Sequence, residues 1–313
     1  QGDYEAAKSA FQPLAASADK DIRINAAIGM ANLLFKTNAY HDCLDYIRRT
    51  LDSLPDKENQ SERVILKNLL SLALLETGNE KLALSEIDEA LETARRYNII
   101  GETTALMINK ALILRETGRP EEAEALLRSE LPEAEARNNS YLLKGLYRHL
   151  AITSSLLGDN DQALLNIEKM KALGSLTPEE SMYISYYTGL ITQNIPMLEK
   201  AQKEALEIRD TSTALEISNH LGRLSGRIAH FEAAVALLES MASHMDSPGL
   251  QVKLLKKYQN IYRTLAEAYF NNGLYDKAFI TVEKVKRIAF LVNNPLGAGQ
   301  GTISPEDSRA LRT

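Results

Sequence analysis

Small residues recur along this chain in pairs twelve positions apart, each framed by larger apolar residues, and this pattern predicts its elements. Ala31 stands twelve before Cys43, Ser71 before Ala83, Ala111 before Ala123 and Ala151 before Ala163. Gly189 with Ala201, Gly222 with Ala234 and Ala266 with Ala278 continue the series. Met30 and Leu34 flank Ala31, Leu70 and Leu74 flank Ser71, and Leu265 and Tyr269 flank Ala266, all at the spacing of one helical face. Five residues before the second member of most pairs stands a turn former: Asn38, Gly78, Gly118, Gly158 or Gly273. Two antiparallel helices joined by a tight turn come nearest at one crossing, where only Ala, Gly, Ser or Cys fits between the backbones. A glycine that ends the first helix supplies the left-handed residue at least strain. The pattern therefore predicts a run of helix hairpins. Thr177-Pro178-Glu179-Glu180 marks a helix start near residue 178. The pair around Gly189 and Ala201 has Asn194-Ile195-Pro196 in place of a turn glycine, so its turn is the one the pattern leaves undefined.

The second-helix small residues are Ala7, Cys43, Ala83, Ala123, Ala163, Ala201, Ala234 and Ala278, in steps of 36, 40, 40, 40, 38, 33 and 44. This spacing, with Gly2, Tyr4, Ala7 and Phe11 at one end and Ala266, Gly273, Tyr275, Ala278 and Val282 at the other, resembles a tetratricopeptide-repeat (TPR) array over about residues 1 to 292. The resemblance implies an all-α fold, a right-handed superhelical solenoid of antiparallel helix hairpins, with seven pairs and a leading half pair. Most steps lie near 40 where the usual TPR unit is about 34 residues. The longer helices imply a deeper groove, as in TPR-like arrays of bacterial peptide receptors and regulators. Gln1 enters at a second helix, so the chain reads as an excerpt. Residues 293 to 313 read as a linker rich in Gly, followed by a helix start at Ser304-Pro305-Glu306-Asp307.

Positions six before, three before and one after each first-helix small residue form an i, i+3, i+7 stripe expected to line the concave face. In the first four pairs the stripe reads Asn25, Ile28, Asn32; Ile65, Asn68, Leu72; Ala105, Ile108, Leu112; and Gly145, Arg148, Ile152. In the last three it reads Tyr183, Tyr186, Leu190; Glu216, Asn219, Arg223; and Asn260, Arg263, Glu267. Asparagine both donates and accepts, which suits the backbone of an extended peptide, and arginine holds a carboxylate bidentately. TPR grooves commonly bind extended peptides through Asn, Lys and Arg of the first helices. The candidate partner-binding residues are thus Asn68 with neighbouring Asn109, Arg148, Tyr183, Tyr186, Asn219, Arg223, Asn260 and Arg263.

Composition narrows the function. The 313 residues contain 16 Gly and 9 Pro, below the usual share, and 44% hydrophobic against 25% charged residues, as in a folded helical protein. No apolar stretch approaches the ~20 residues that span a bilayer, no secretory signal is read at Gln1, and the chain is expected to be cytoplasmic with no membrane partner. One cysteine excludes a disulfide framework. His41 and Cys43 are the only His/Cys pair, with no second pair to complete a zinc site. Gly297-Ala298-Gly299-Gln300-Gly301 follows no strand and precedes no Gly-Lys-Ser/Thr, so it is read as linker. No catalytic residue, metal or cofactor is expected.

The net charge of −6 argues against nucleic acid as a partner of the whole chain. Residues 251 to 290 nevertheless carry net +5 and residues 1 to 250 carry −11, so the basic end suits an acidic partner. The reading is a non-enzymatic protein- or peptide-binding TPR scaffold or sensor region of a larger regulatory protein. Two alternatives stand beside it. The array regulates an effector enzyme fused or bound beyond residue 313, for example a caspase-like CHAT protease, because residues 276 to 287 resemble the last helix preceding such domains. Or its end helices mediate self-association.

Overall fold

The computed structural model describes residues 2–55, 58–243 and 248–293. The expected linker and the helix start at Ser304 lie outside them. Within them the chain forms sixteen α-helices and no strand, the TPR-like repeat of antiparallel hairpins. It divides into two compact units, residues 1–174 and 175–313.

The first unit opens with α1 (Gly2–Ala15) and continues as four hairpins. These are α2 (Lys20–Lys36) with α3 (Tyr40–Ser53), α4 (Gln60–Glu76) with α5 (Glu80–Arg96), α6 (Ile100–Glu116) with α7 (Pro120–Arg137), and α8 (Ser140–Leu156) with α9 (Asn160–Ala172). The second unit holds α10 (Pro178–Ile191) with α11 (Ile195–Glu207), α12 (Thr211–Ser225) with α13 (Ile228–Ser243), α14 (Pro248–Lys257), and α15 (Gln259–Asn271) with α16 (Tyr275–Asn293).

The small pairs occupy the crossings. Ala31, Cys43, Ser71, Ala83, Ala111, Ala123, Ala163, Ala201 and Ala234 are all fully buried. The Cys43 thiol donates to the Ala31 carbonyl at 3.4 Å, directly across one crossing. A methyl group built on Gly222 would lie 2.6 Å from the Phe231 ring, so no larger residue fits there without the ring moving. The leading half pair closes in the same way, with the Phe11 ring of α1 seated on Gly29 of α2. Around the crossings Leu66, Ile87, Leu106, Ile113 and Leu127 fill the first unit, each stabilising it by ~1.5–3 kcal/mol relative to exposure.

Six of the seven hairpin turns share one device. In α4–α5, Gly78 has φ 81, and Asn79 N donates to Leu74 O at 2.8 Å while Gly78 N donates to Leu75 O at 2.9 Å, the pair of bonds that satisfies the last carbonyls of a helix. The turn left undefined by the sequence pattern uses it too. Asn194 N donates to Gly189 O at 2.8 Å, and the left-handed residue is Gln193, with φ 52. Asn194 then caps α11 by accepting from Met197 N at 3.0 Å. Thr177 and Glu180 form the expected capping box at the start of α10.

The step of 44 residues between Ala234 and Ala278 is taken up by α14. The helical rise is interrupted at Tyr258, whose hydroxyl donates to Glu216 Oε1 at 3.2 Å. Sequence spacing shows that residues were inserted; it does not show that they make a separate helix.

Candidate functional site

The sequence-derived site residues all fall on first helices, and each unit places its own set. In the first unit α4 packs on α6 and α6 on α8. Asn68 of α4 and Asn109 of α6 are half-buried and joined, Asn109 Nδ2 donating to Asn68 Oδ1 at 2.9 Å. The Asn109 NH2 and the Asn68 oxygen are therefore already engaged, and the two residues act as a bridge between neighbouring hairpins. Arg148 of α8 is half-buried beside the buried His149. Arg115 of α6 brings Nη1 to 3.5 Å from His149 Nδ1. Burial, with the charges of Arg148 and Arg115, pushes His149 well below the usual histidine range, so it stays neutral.

In the second unit α10 supplies three tyrosines. Tyr183 and Tyr187 stack with ring centroids 6.1 Å apart and planes 9° from parallel. Tyr186, expected on the binding stripe, is instead a core residue at 3% exposure, packed with Met182, Leu198 and Leu221. The reason is geometric: position 186 lies on the same helical face as Met182, which packs into the core of this unit. The Tyr186 hydroxyl lies 2.9 Å from His220 Nδ1 on α12, and burial raises this phenol well above its ordinary range. Burial, and then the Arg223 charge, lowers His220.

Asn219, next to His220, is half-buried, and its Oδ1 is buried without a hydrogen-bond donor. A buried amide oxygen left unpaired costs about 1–3 kcal/mol. Arg223, one turn further on α12, and Asn260 and Arg263 on α15 are exposed. Neither Arg223 nor Arg263 makes an ion pair among the described residues, whereas Arg96, Arg119, Arg128 and Arg137 each hold a glutamate.

The basic C-terminal segment is less open than its charge count implies. Lys277 and Lys284 of α16 reach Glu232 and Glu239 of α13 at 3.4 and 3.1 Å. Tyr269 and Tyr262 of α15 donate to the same two carboxylates at 2.7 and 3.2 Å. Lys286 pairs with Glu283 at 2.7 Å. Two of the eight cations of residues 251 to 290 thus bind the preceding hairpin.

Cys43 is no nucleophile in this environment, since burial pushes its thiol up to about 12. Among the described residues no three His, Cys, Asp or Glu side chains converge in a metal-holding group, and no helix is long and apolar enough to cross a membrane. Sequence reasoning missed His220, Tyr187 and Tyr258. The available signal was repeat spacing: Tyr186 to His220 is 34 residues and Glu216 to Tyr258 is 42, each about one repeat.

No protein-family model matches the chain, and no curated protein matches it. Solved structures do. The Rap conjugation gene regulator of the plasmid pLS20, in complex with the Phr* peptide, is similar over 89% of this chain and 78% of its own, with a TM-score of 0.63 and 15% identity. A Rap protein complexed with competence and sporulation factor is similar over 92% and 80%, with a TM-score of 0.65 and 13% identity. NprR in complex with its cognate peptide NprX is similar over 94% and 83%, with a TM-score of 0.56 and 18% identity. At these identities the likeness is one of fold.

Proposed function

We propose that this chain is a non-enzymatic, peptide-binding TPR-like segment of a cytoplasmic regulatory protein, and that the first-helix face of its second unit receives an extended peptide. The observation that carries this reading is the exposed pair Arg223 and Arg263 on α12 and α15. The half-buried Asn219, one turn before Arg223, offers the rest of its amide to the backbone of an extended peptide. Arg223 and Arg263, exposed and without an ion pair among the described residues, then hold an acidic side chain or a terminal carboxylate. The stacked Tyr183 and Tyr187 of α10 offer a flat aromatic surface in the same unit. The fold shared with structures that contain bound Phr* and NprX peptides supports the same reading.

The test is to pan a random heptapeptide display library against the purified chain. The expected outcome is enrichment of peptides carrying a carboxylate, lost on Arg223→Glu with Arg263→Glu and reduced on Asn219→Leu, with the melting temperature of the arginine variant unchanged. Equal enrichment by wild type and variants sinks the assignment of this face.

A further inference from the structure

A second site lies in the first unit, on a different helix face. A cavity of about 400 Å³ opens between the C-terminal end of α1, the first half of α2 and the last half of α3, a volume within the range of small-molecule pockets. Its floor is apolar, made by Ile24, Ala27 and Leu54, all buried. Three cations, Lys20, Arg23 and Arg49, line it, and no Asp or Glu among the described residues does.

The state of these cations matters more than their number. Lys20 is paired with Glu58. The two arginines bond backbone carbonyls only, Arg23 Nη1 to Ser17 O at 2.7 Å and Arg49 Nε to Asp45 O at 3.2 Å. Each guanidinium carries five donors, so most of their hydrogen-bonding capacity and both charges are uncompensated by any carboxylate among the described residues. The Tyr46 ring lines the same cavity.

This site is not the peptide-binding face. Lys20, Arg23, Ile24 and Ala27 form an i, i+3, i+4, i+7 stripe on α2, whereas Asn25, Ile28 and Asn32 form the stripe expected to line the concave side. At 3.6 residues per turn the two stripes lie about a third of a turn apart.

We propose that this cavity binds a small amphipathic carboxylate, its apolar body on Ile24, Ala27 and Leu54 and its head between Arg23 and Arg49. A guanidinium group matches the planar, bidentate acceptor of a carboxylate, and an apolar floor gives nothing to an anion without a hydrocarbon body.

Calorimetric titration of the chain with octanoate tests this, with octanol and inorganic phosphate as separate arms. Saturable octanoate binding is expected, weakened at least ~10-fold by Arg49→Gln and by Arg23→Gln and retained in part by Arg49→Lys, while octanol and phosphate bind far more weakly. Both arginines are exposed, and circular dichroism melting checks that the variants fold. Absence of saturable octanoate binding, equal binding of octanol or of phosphate, or affinity unchanged in both glutamine variants overturns the proposal.

Discussion

The Tyr186 hydroxyl lies 2.9 Å from His220 Nδ1, and both groups are held neutral by burial in the second unit. The folded-state pKa of His220 is depressed below 6.5, and that of the buried His149 lies well below it. An unfolded chain therefore takes up protons that the folded chain refuses as pH falls through about 6.5. Stability is complete above that pH and declines below it, by at most ~1.4 kcal/mol per pH unit for each histidine, until its folded value is reached. Urea unfolding between pH 7.5 and 5 is expected to show this decline, and His149→Gln is expected to flatten it. A midpoint independent of pH over that window contradicts the neutral-histidine assignment.

Gly222→Ala places a methyl group 2.6 Å from the Phe231 ring and is expected to destabilise the protein by about 1–3 kcal/mol through overpacking. Gly101→Ala adds the same methyl where nothing lies within 4 Å, in the first turn of α6, and is expected to stabilise by up to ~1 kcal/mol. Opposite shifts in the denaturation midpoint support a crossing filled to contact; shifts of the same sign do not.

Gln193 adopts the left-handed conformation that Gly78, Gly118, Gly158 and Gly273 adopt in the equivalent turns. Gln193→Gly relieves the Cβ strain at the expense of some unfolded-state entropy, for a net gain of about 0.5–1 kcal/mol. A loss of stability in thermal melts argues that the Gln193 side chain makes a compensating contact.

The parts legible in the sequence are those in which a residue acts through its size or its own backbone. Ala31 with Cys43, Gly222 with Ala234 and the capping box at Thr177 each announce a local geometry, because close approach and capping restrict residue type at one position. Tyr186 was misplaced because a tyrosine on a helix face fits a core and a binding surface equally well, and only the packing of α11 and α12 around it decides. Lys277 and Lys284 counted toward a free basic end, while the carboxylates that meet them stand 45 residues earlier on α13.

The sequence by itself determined the repeat, its period, its hairpin crossings and the helical class, because each repeat restates the same steric demand and the signal accumulates along the chain. The tertiary structure alone decided which polar groups find partners. Asn109 donates to Asn68, Lys277 and Lys284 meet carboxylates, and Asn219 Oδ1, Arg223 and Arg263 find no such partner among the described residues. Hydrogen bonds and ion pairs of this kind join residues a full repeat apart, and their existence depends on distances of a few tenths of an ångström that no periodicity encodes.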